Sequence, residues 1–224
     1  MTTAIILAAG KSERMGKNVD KAFLSLLDKP VVAWSLLAFE RCPDIDRVVL
    51  VVRKEQQLAA KAVCKMFGIS KLEKIVPGGT KRQESVAAGL AACDLDTRIV
   101  LIHDGARPLV TTALVSEVVA AAKKVPAVTV GRPVSDTVKR CTAAKGSVVA
   151  ETLQREHLWS VQTPQAFHMK DIRAAYAALG KKEVTDDCQA VEENGGTVRI
   201  LPSYTPNIKI TTVEDLQVAA KLLK

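Results

Sequence analysis

The residues best suited to chemistry lie in three short clusters. The first is at the start of the chain, where the apolar run Ala4-Ile5-Ile6-Leu7-Ala8 passes into Ala9-Gly10-Lys11-Ser12-Glu13-Arg14-Met15-Gly16-Lys17, with Lys21 close behind. Small residues let backbone N–H groups approach an anion, and spaced cations neutralise it. Lys11-Ser12 invites a P-loop reading, but that motif needs a second glycine five positions before the one preceding its lysine. Position 5 is Ile, which excludes it. The second cluster, His103-Asp104-Gly105-Ala106-Arg107-Pro108, follows the apolar run Ile99–Ile102. A carboxylate suits sugar hydroxyls and a guanidinium suits phosphate oxygens; the plainer alternative is an Asp–Arg pair that only shapes the turn. The third, Pro77-Gly78-Gly79-Thr80-Lys81-Arg82-Gln83-Glu84-Ser85, is a glycine turn feeding a helix start. Such a junction can offer free N–H groups to an anion or a base edge, or can simply be a turn.

Further along, Arg155, Trp159, Thr163-Pro164-Gln165 and Thr185-Asp186-Asp187 read one by one as surface groups or caps. Lys209, flanked by Ile208 and Ile210, is expected to be held in place. His157 and His168 have no Cys, His or carboxylate at ligand spacing and read as structural. Neither a Ser-His-Asp arrangement nor a nucleophilic cysteine stands out.

These clusters need a scaffold. Near-continuous apolar runs at Ala4–Ala8, Val48–Val52, Ile99–Ile102, Ala127–Val130 and Val198–Leu201 predict strands covered on both faces. Helical patterns fall between and after them, at Val31–Arg41, Lys54–Phe67, Gln83–Cys93, Ala113–Lys123, Asp171–Leu179, Asp186–Glu193 and Val213–Leu223. The last starts behind Thr212 with Glu214 and Asp215 in its first turn, a good N-terminal signature. The alternation predicts an α/β fold with a doubly wound, mostly parallel sheet. Ligands in such sheets bind beyond the carboxyl ends of the strands, where strand order reverses, so the loops after Ala8 and Ile102 become the candidate site. The stretch 132–167 breaks the rhythm and reads as a protruding β-arm, a hairpin with no helix to cover it. A lone two-stranded arm is barely stable, so it is expected to pack on a second copy; a long surface loop is the alternative.

At 224 residues the chain suits one α/β domain, 1–224, with an excursion. The net charge of +8 is spread out, and only two Trp, two Tyr and four Phe are present. That favours small phosphorylated ligands over a nucleic-acid platform. The cysteines at 42, 64, 93, 141 and 188 show neither zinc spacing nor an even count, and read as reduced thiols. With no signal-like n-region and no membrane-length apolar run, the expected location is the cytoplasm, with no membrane partner.

The order of the motifs says more than any one of them. Ala8-Ala9-Gly10, Arg14-Met15, Lys21, Gly78-Gly79, Arg82, Ser85-Val86, the His103–Pro108 element, Asp136-Thr137-Val138-Lys139-Arg140, Thr163-Pro164-Gln165, Thr185-Asp186 and Asn207-Ile208-Lys209 run in sequence. That series resembles the 2-C-methyl-D-erythritol 4-phosphate cytidylyltransferases over nearly the whole chain. The resemblance implies a Rossmann-like nucleotidyltransferase that joins CTP to a polyol phosphate and releases pyrophosphate, in isoprenoid precursor synthesis. It further implies that Arg14 and Lys21 grip the triphosphate, and that Lys209 and Arg155 from a partner's arm hold the attacking phosphate. Asp104, Arg107, Thr137, Thr163 and Thr185 would line the sugar-phosphate pocket. Backbone around Ala8, Ala9, Gly10, Gly79 and Ser85 would read the cytidine, with Ser12, Arg82 and Ala106 at further substrate-binding positions. Mg²⁺ is expected on the CTP phosphates, largely water-coordinated, with no protein metal site, and the enzyme is expected to be a homodimer.

Three positions depart from the pattern: Asp20 stands where Pro is usual, Ala22 where Gln is common and Thr80 where Asp is frequent. Asp20 is expected to pair with Lys21 and weaken its hold on CTP. Two other readings stay open at this point: a ribitol 5-phosphate cytidylyltransferase, and a non-catalytic nucleotide-binding module. Five cations at phosphate positions, Arg14, Lys21, Arg107, Arg155 and Lys209, speak against the second.

Overall fold

The computed structural model describes residues 1–10, 20–143, 145–146 and 148–224. Its first half runs β1 (Thr2–Ala8), a small hairpin of β2 (Ser25–Leu26) and β3 (Lys29–Pro30), α1 (Val31–Glu40), β4 (Arg47–Val52), α2 (Gln57–Met66), β5 (Leu72–Pro77), α3 (Arg82–Ala92) and β6 (Ile99–Asp104). The second half runs α4 (Thr112–Ala122), β7 (Ala127–Pro133), β8 (Lys139–Cys141), β9 (Val149–Thr152), β10 (Trp159–His168), α5 (Met169–Ala178), α6 (Asp187–Glu193), β11 (Arg199–Pro202) and α7 (Val213–Leu222).

Among the described residues, seven strands form one sheet in the order β11-β7-β10-β6-β1-β4-β5. All pairings are parallel except the two made by β10. From β1 the chain builds outward through β4 to β5, then returns to place β6 on the other side of β1. The loops leaving β1 and β6 therefore diverge, which opens a crevice at their carboxyl ends.

Strand alternation decides what each residue faces. Ala4, Ile6 and Ala8 of β1 and Leu101 of β6 join the layer formed with α1, α2 and α4. Ile5, Val100 and Ile102 join the opposite layer with α3, α5 and α6. Phe39 and Phe167, one in each layer, have no exposed surface, and truncating either to Ala should cost about 3–5 kcal/mol. The same alternation turns His103 toward Phe39, with ring centroids 5.1 Å apart, and Asp104 toward the α3 side.

Two strands of the seven-stranded sheet lie outside the sequence expectations. β5 is an edge strand with an intermediate and exposed burial pattern, and β10 crosses the sheet between β6 and β7. This second finding redraws the arm expected at 132–167. β7 continues to Pro133 and β10 begins at Trp159, so only 134–158 projects from the sheet. Within it β8 and β9 pair antiparallel as a separate two-stranded sheet whose strand residues are all exposed. Among the described residues no helix is long and apolar enough to cross a membrane. Cys42, Cys64, Cys93 and Cys188 are buried thiols and Cys141 is exposed.

Candidate active site

At the carboxyl ends of β1 and β6 lies a cleft of about 220 Å³. One wall is Ala8, Ala9 and Gly10 with Lys21 and Ala22; another is the glycine loop with Arg82 and Ser85 of α3; the third is Asp104, Ala106 and Lys209. Segments distant in sequence thus converge where the sheet's topology requires a crevice.

The glycine loop is shaped by packing. A Cβ on Gly78 would lie 2.5 Å from the Ala9 Cβ and 2.6 Å from the Ser85 Oγ, so this loop can rest against the β1 loop only without a side chain there. Ser85 Oγ accepts the Gly79 N–H at 3.2 Å, and Glu84 accepts the Thr80 N–H at 2.7 Å and the Thr80 hydroxyl at 2.9 Å. These N–H groups are spent on holding the loop, which makes it a rigid wall.

The electrostatic centre is Asp104. Lys209 Nζ donates to its Oδ2 at 2.7 Å, Arg82 Nε reaches its Oδ1 at 3.4 Å and Arg107 Nε stands 3.8 Å from its Oδ2. Burial alone would raise this carboxyl's pKa, but the Lys209 and Arg82 charges outweigh it and hold the group well below the usual carboxylate range. Arg82 is also clamped by Asp187, with Nη1 to Oδ1 at 2.9 Å and Nη2 to Oδ2 at 2.8 Å. Asp187 is fully buried and takes a third bond, from the Tyr176 hydroxyl, at 2.6 Å.

Behind Asp104 a second network fixes the loop. Thr163 Oγ1 accepts the Asp104 N–H at 3.0 Å and lies 3.1 Å from His103 Nδ1. His103 Nε2 faces the Arg107 carbonyl at 3.4 Å. A carbonyl only accepts, so Nε2 carries the proton and Nδ1 accepts from the Thr163 hydroxyl. Burial pushes the His103 pKa down to about 3, which keeps this neutral tautomer in place. Asn207 Nδ2 donates to the Thr163 carbonyl at 2.8 Å, and its backbone carbonyl accepts from Arg107 Nη1 at 2.7 Å.

Of the residues singled out in the sequence, Ala8, Ala9, Gly10 and Lys21 line the cleft together with Gly79 and Ser85. Arg82, Asp104, Ala106 and Lys209 complete that set. Arg107 and Thr163 lie behind the wall, mostly buried and holding backbone. Thr185 is exposed beside α6, where its N–H and hydroxyl both donate to Gln189 Oε1 at 2.8 and 3.0 Å. Thr137 and Arg155 are on the arm, Arg155 exposed and donating to the Ser135 carbonyl at 2.7 Å. Ser12 and Arg14 lie outside the described residues. Asp20, expected beside Lys21, accepts from Arg53 Nε and Nη2 at 3.1 and 2.9 Å and caps a short turn through the Ala22 N–H. His168 is structural, donating to the Ala122 carbonyl at 2.9 Å.

Asp187, which reads in the sequence as a surface group or cap, is instead buried against Arg82 and Tyr176, and neither Tyr176 nor the bonding of Gln165 is foreshadowed there. Gln165 Oε1 accepts the Asp187 N–H at 3.2 Å and its Nε2 donates to Asp186 Oδ2 at 2.7 Å. An acid beside a helix start reads as a cap, and Asp186 is one, accepting the Gln189 N–H at 2.9 Å. Its neighbour, which points inward, carries no separate signal.

Comparison with known proteins agrees with this geometry. The family model described as IspD, 2-C-methyl-D-erythritol 4-phosphate cytidylyltransferase, matches residues 2–224. A curated protein of that name from Alkaliphilus oremlandii is 42% identical, the match covering 100% of this chain and 95% of the relative. Another from Pelotomaculum thermopropionicum is 45% identical, covering 99% and 93%. Among solved structures, the 4-diphosphocytidyl-2C-methyl-D-erythritol synthase from Anaerococcus prevotii superposes with a TM-score of 0.86 at 32% identity, covering 100% of this chain and 98% of that one. The 2-C-methyl-D-erythritol 4-phosphate cytidylyltransferase from Thermus thermophilus gives 0.79 at 30% identity, covering 99% and 98%. The chain belongs to the 2-C-methyl-D-erythritol 4-phosphate cytidylyltransferase family, enzymes of the non-mevalonate isoprenoid pathway that transfer the cytidylyl group of CTP to that phosphate.

Proposed function

We propose that the cleft runs this reaction by charge neutralisation and positioning, with no general base. The phosphate of the polyol attacks the α-phosphorus of CTP. A new P–O bond forms there, and the bond to the bridging oxygen breaks, its electrons leaving with pyrophosphate. A phosphate monoester is already largely ionised near neutral pH, so no proton needs to be removed. The barrier is the approach of two anions, and fixed cations lower it.

In this reading Arg14 and Lys21 hold the triphosphate, and the Ala8–Gly10 loop, Gly79 and Ser85 frame the cytidine. Asp104 orients polyol hydroxyls while Lys209 and Arg155 of the partner subunit hold the attacking phosphate. Arg82, beside Asp104, faces the polyol phosphate. Arg107, Thr163, Thr137 and Thr185 belong to the polyol side, the first two through the loop they brace. The observation that carries the reading is the meeting of Lys209, Asp104 and Arg82 opposite the β1 loop in one cleft.

Magnesium enters as part of the nucleotide substrate, with phosphate and water oxygens as its ligands. Among the described residues no three His, Cys, Asp or Glu side chains converge as a metal site, and Asp104 is already matched by cations.

The exposed β8–β9 hairpin supports a homodimer in which each arm reaches its partner's cleft. The test of the reaction is pyrophosphate release from CTP and Mg²⁺, with methylerythritol phosphate and ribitol 5-phosphate offered in parallel. Release with the first is expected; preference for the second would move the activity to the sister substrate, and silence with both would leave only nucleotide binding. For the arm, Arg155→Ala and Lys21→Ala, each nearly inactive, should partly restore activity when mixed as heterodimers. No recovery would refute a shared site.

A further inference from the structure

From the clamp on Arg82 we infer that Asp187, which touches no substrate in the proposed reading, is a positioning residue for the polyol-phosphate side of the cleft. The inference rests on that reading, because it takes Arg82 and Asp104 to face the polyol phosphate.

Arg82 has five N–H donors in a rigid plane. Two go to Asp187, from Nη1 and Nη2, and Nε points at Asp104. The bidentate fork fixes the plane as well as the position of the guanidinium, since two parallel bonds leave it no rotation. The remaining Nη1 and Nη2 hydrogens are the ones available at the cleft wall that Arg82 helps to form. Asp187 is itself immobilised. Tyr176 donates to Oδ1 at 2.6 Å, Gln165 accepts its N–H at 3.2 Å, and Asp186 beside it caps α6. A fully buried carboxylate held by neighbours from α5 and β10 is an anchor that solvent and substrate do not reach.

The same clamp controls how Arg82 is shared. Arg82 lies between two carboxylates, and Asp187 takes the shorter bonds. Asp104 is thereby left with a loose 3.4 Å contact to Arg82 and a tight 2.7 Å contact to Lys209. An amide at 187 accepts through one atom only, so it releases one arm of the fork. Arg82 then swings toward Asp104, its only other carboxylate partner among the described residues, and competes with Lys209 and the polyol for it. CTP contacts, placed on the β1 and glycine loops, are not part of this chain of bonds.

Asp187→Asn should lower kcat/KM for the polyol phosphate about ten- to a hundredfold, the range for losing a bond to a charged group, while Kd for CTP changes less than about twofold. Tyr176→Phe, which keeps the ring's volume and removes one support of Asp187, should show the same split with a several-fold loss. Arg82→Lys should lose a comparable factor, and Asp187→Asn added to it should cost little more, because the fork is already gone. Wild-type kcat/KM in both Asp187→Asn and Tyr176→Phe, equal losses in CTP affinity, or additive losses in the double variant would each overturn the inference. Failure of the underlying reading is separate, since wild-type enzyme would then release no pyrophosphate with either polyol phosphate.

Discussion

The molecule has a cavity at each end of its sheet, and both are bordered by cations. The cavity at the amino ends of the strands is the larger, about 590 Å³ against 220 Å³ for the cleft at the carboxyl ends. Its lining includes Arg98, Lys123, Lys170 and Arg173. Size would choose it, and the disposition of its charges does not. Arg173 donates to the Leu90 and Cys93 carbonyls at 3.0 and 3.4 Å and so ends α3, while Lys123 pairs with Asp44 at 3.3 Å. Its rim also carries Leu95, which is 95% exposed. The carboxyl-end cleft instead gathers Lys209, Arg82 and Arg107 around one carboxylate, with two loops opposite. Convergence at the switch in strand order, not volume, is what marks a site built for two anions.

Breaking the cleft should have the largest effect. Lys209→Ala should reduce kcat/KM about a hundredfold or more in the pyrophosphate-release assay, the scale for losing one preorganised donor to a charged transition state. The paired control is Arg98→Ala with Lys170→Ala at the other end, where activity should stay within about twofold. A large loss there would mean that the amino-end cavity takes part.

A pH measurement sharpens the comparison through His103, which belongs to the cleft's support alone. Its folded pKa of about 3 lies below the unfolded value near 6.5, so the unfolded chain binds the extra proton. The stability this group contributes is complete above about 6.5 and falls with pH down to about 3, by up to about 1.4 kcal/mol per pH unit. Asp104, held below the carboxylate range, keeps its contribution until pH drops below about 3.9 and loses it only there. Urea unfolding between about pH 8 and about pH 4.5 should therefore show a decline that His103→Gln flattens. An unchanged slope in the variant would remove His103 as the cause.

How far the fold could be read from the sequence depended on what each strand packs against. β1, β4 and β6 are covered on both faces, so Ile5, Val49 and Ile102 sit in unbroken apolar runs that no other structure explains as well. β5 and β10 lack that signature for different reasons. β5 is an edge strand whose residues partly meet solvent, and β10 starts among the exposed residues of the arm before Ala166 and Phe167 enter the core. The cleft was legible where chemistry and strand ends coincide, at Gly10, Asp104 and Lys209. It was not legible where a buried acid resembles an ordinary helix cap, as at Asp187. Thr163 and Arg107 stand out by their type and order, but only the folded chain shows that they brace the Asp104 loop from behind.

The central claim is that both substrates meet in the carboxyl-end cleft. The most direct test is a crystal structure with CTP, Mg²⁺ and the polyol phosphate, using Lys209→Ala if turnover must be stopped. The triphosphate should lie along the Ala8–Gly10 loop beside Lys21, with the polyol on Asp104 and its phosphate facing position 209. Nucleotide bound in the amino-end cavity, or a polyol phosphate away from Asp104, would contradict the account.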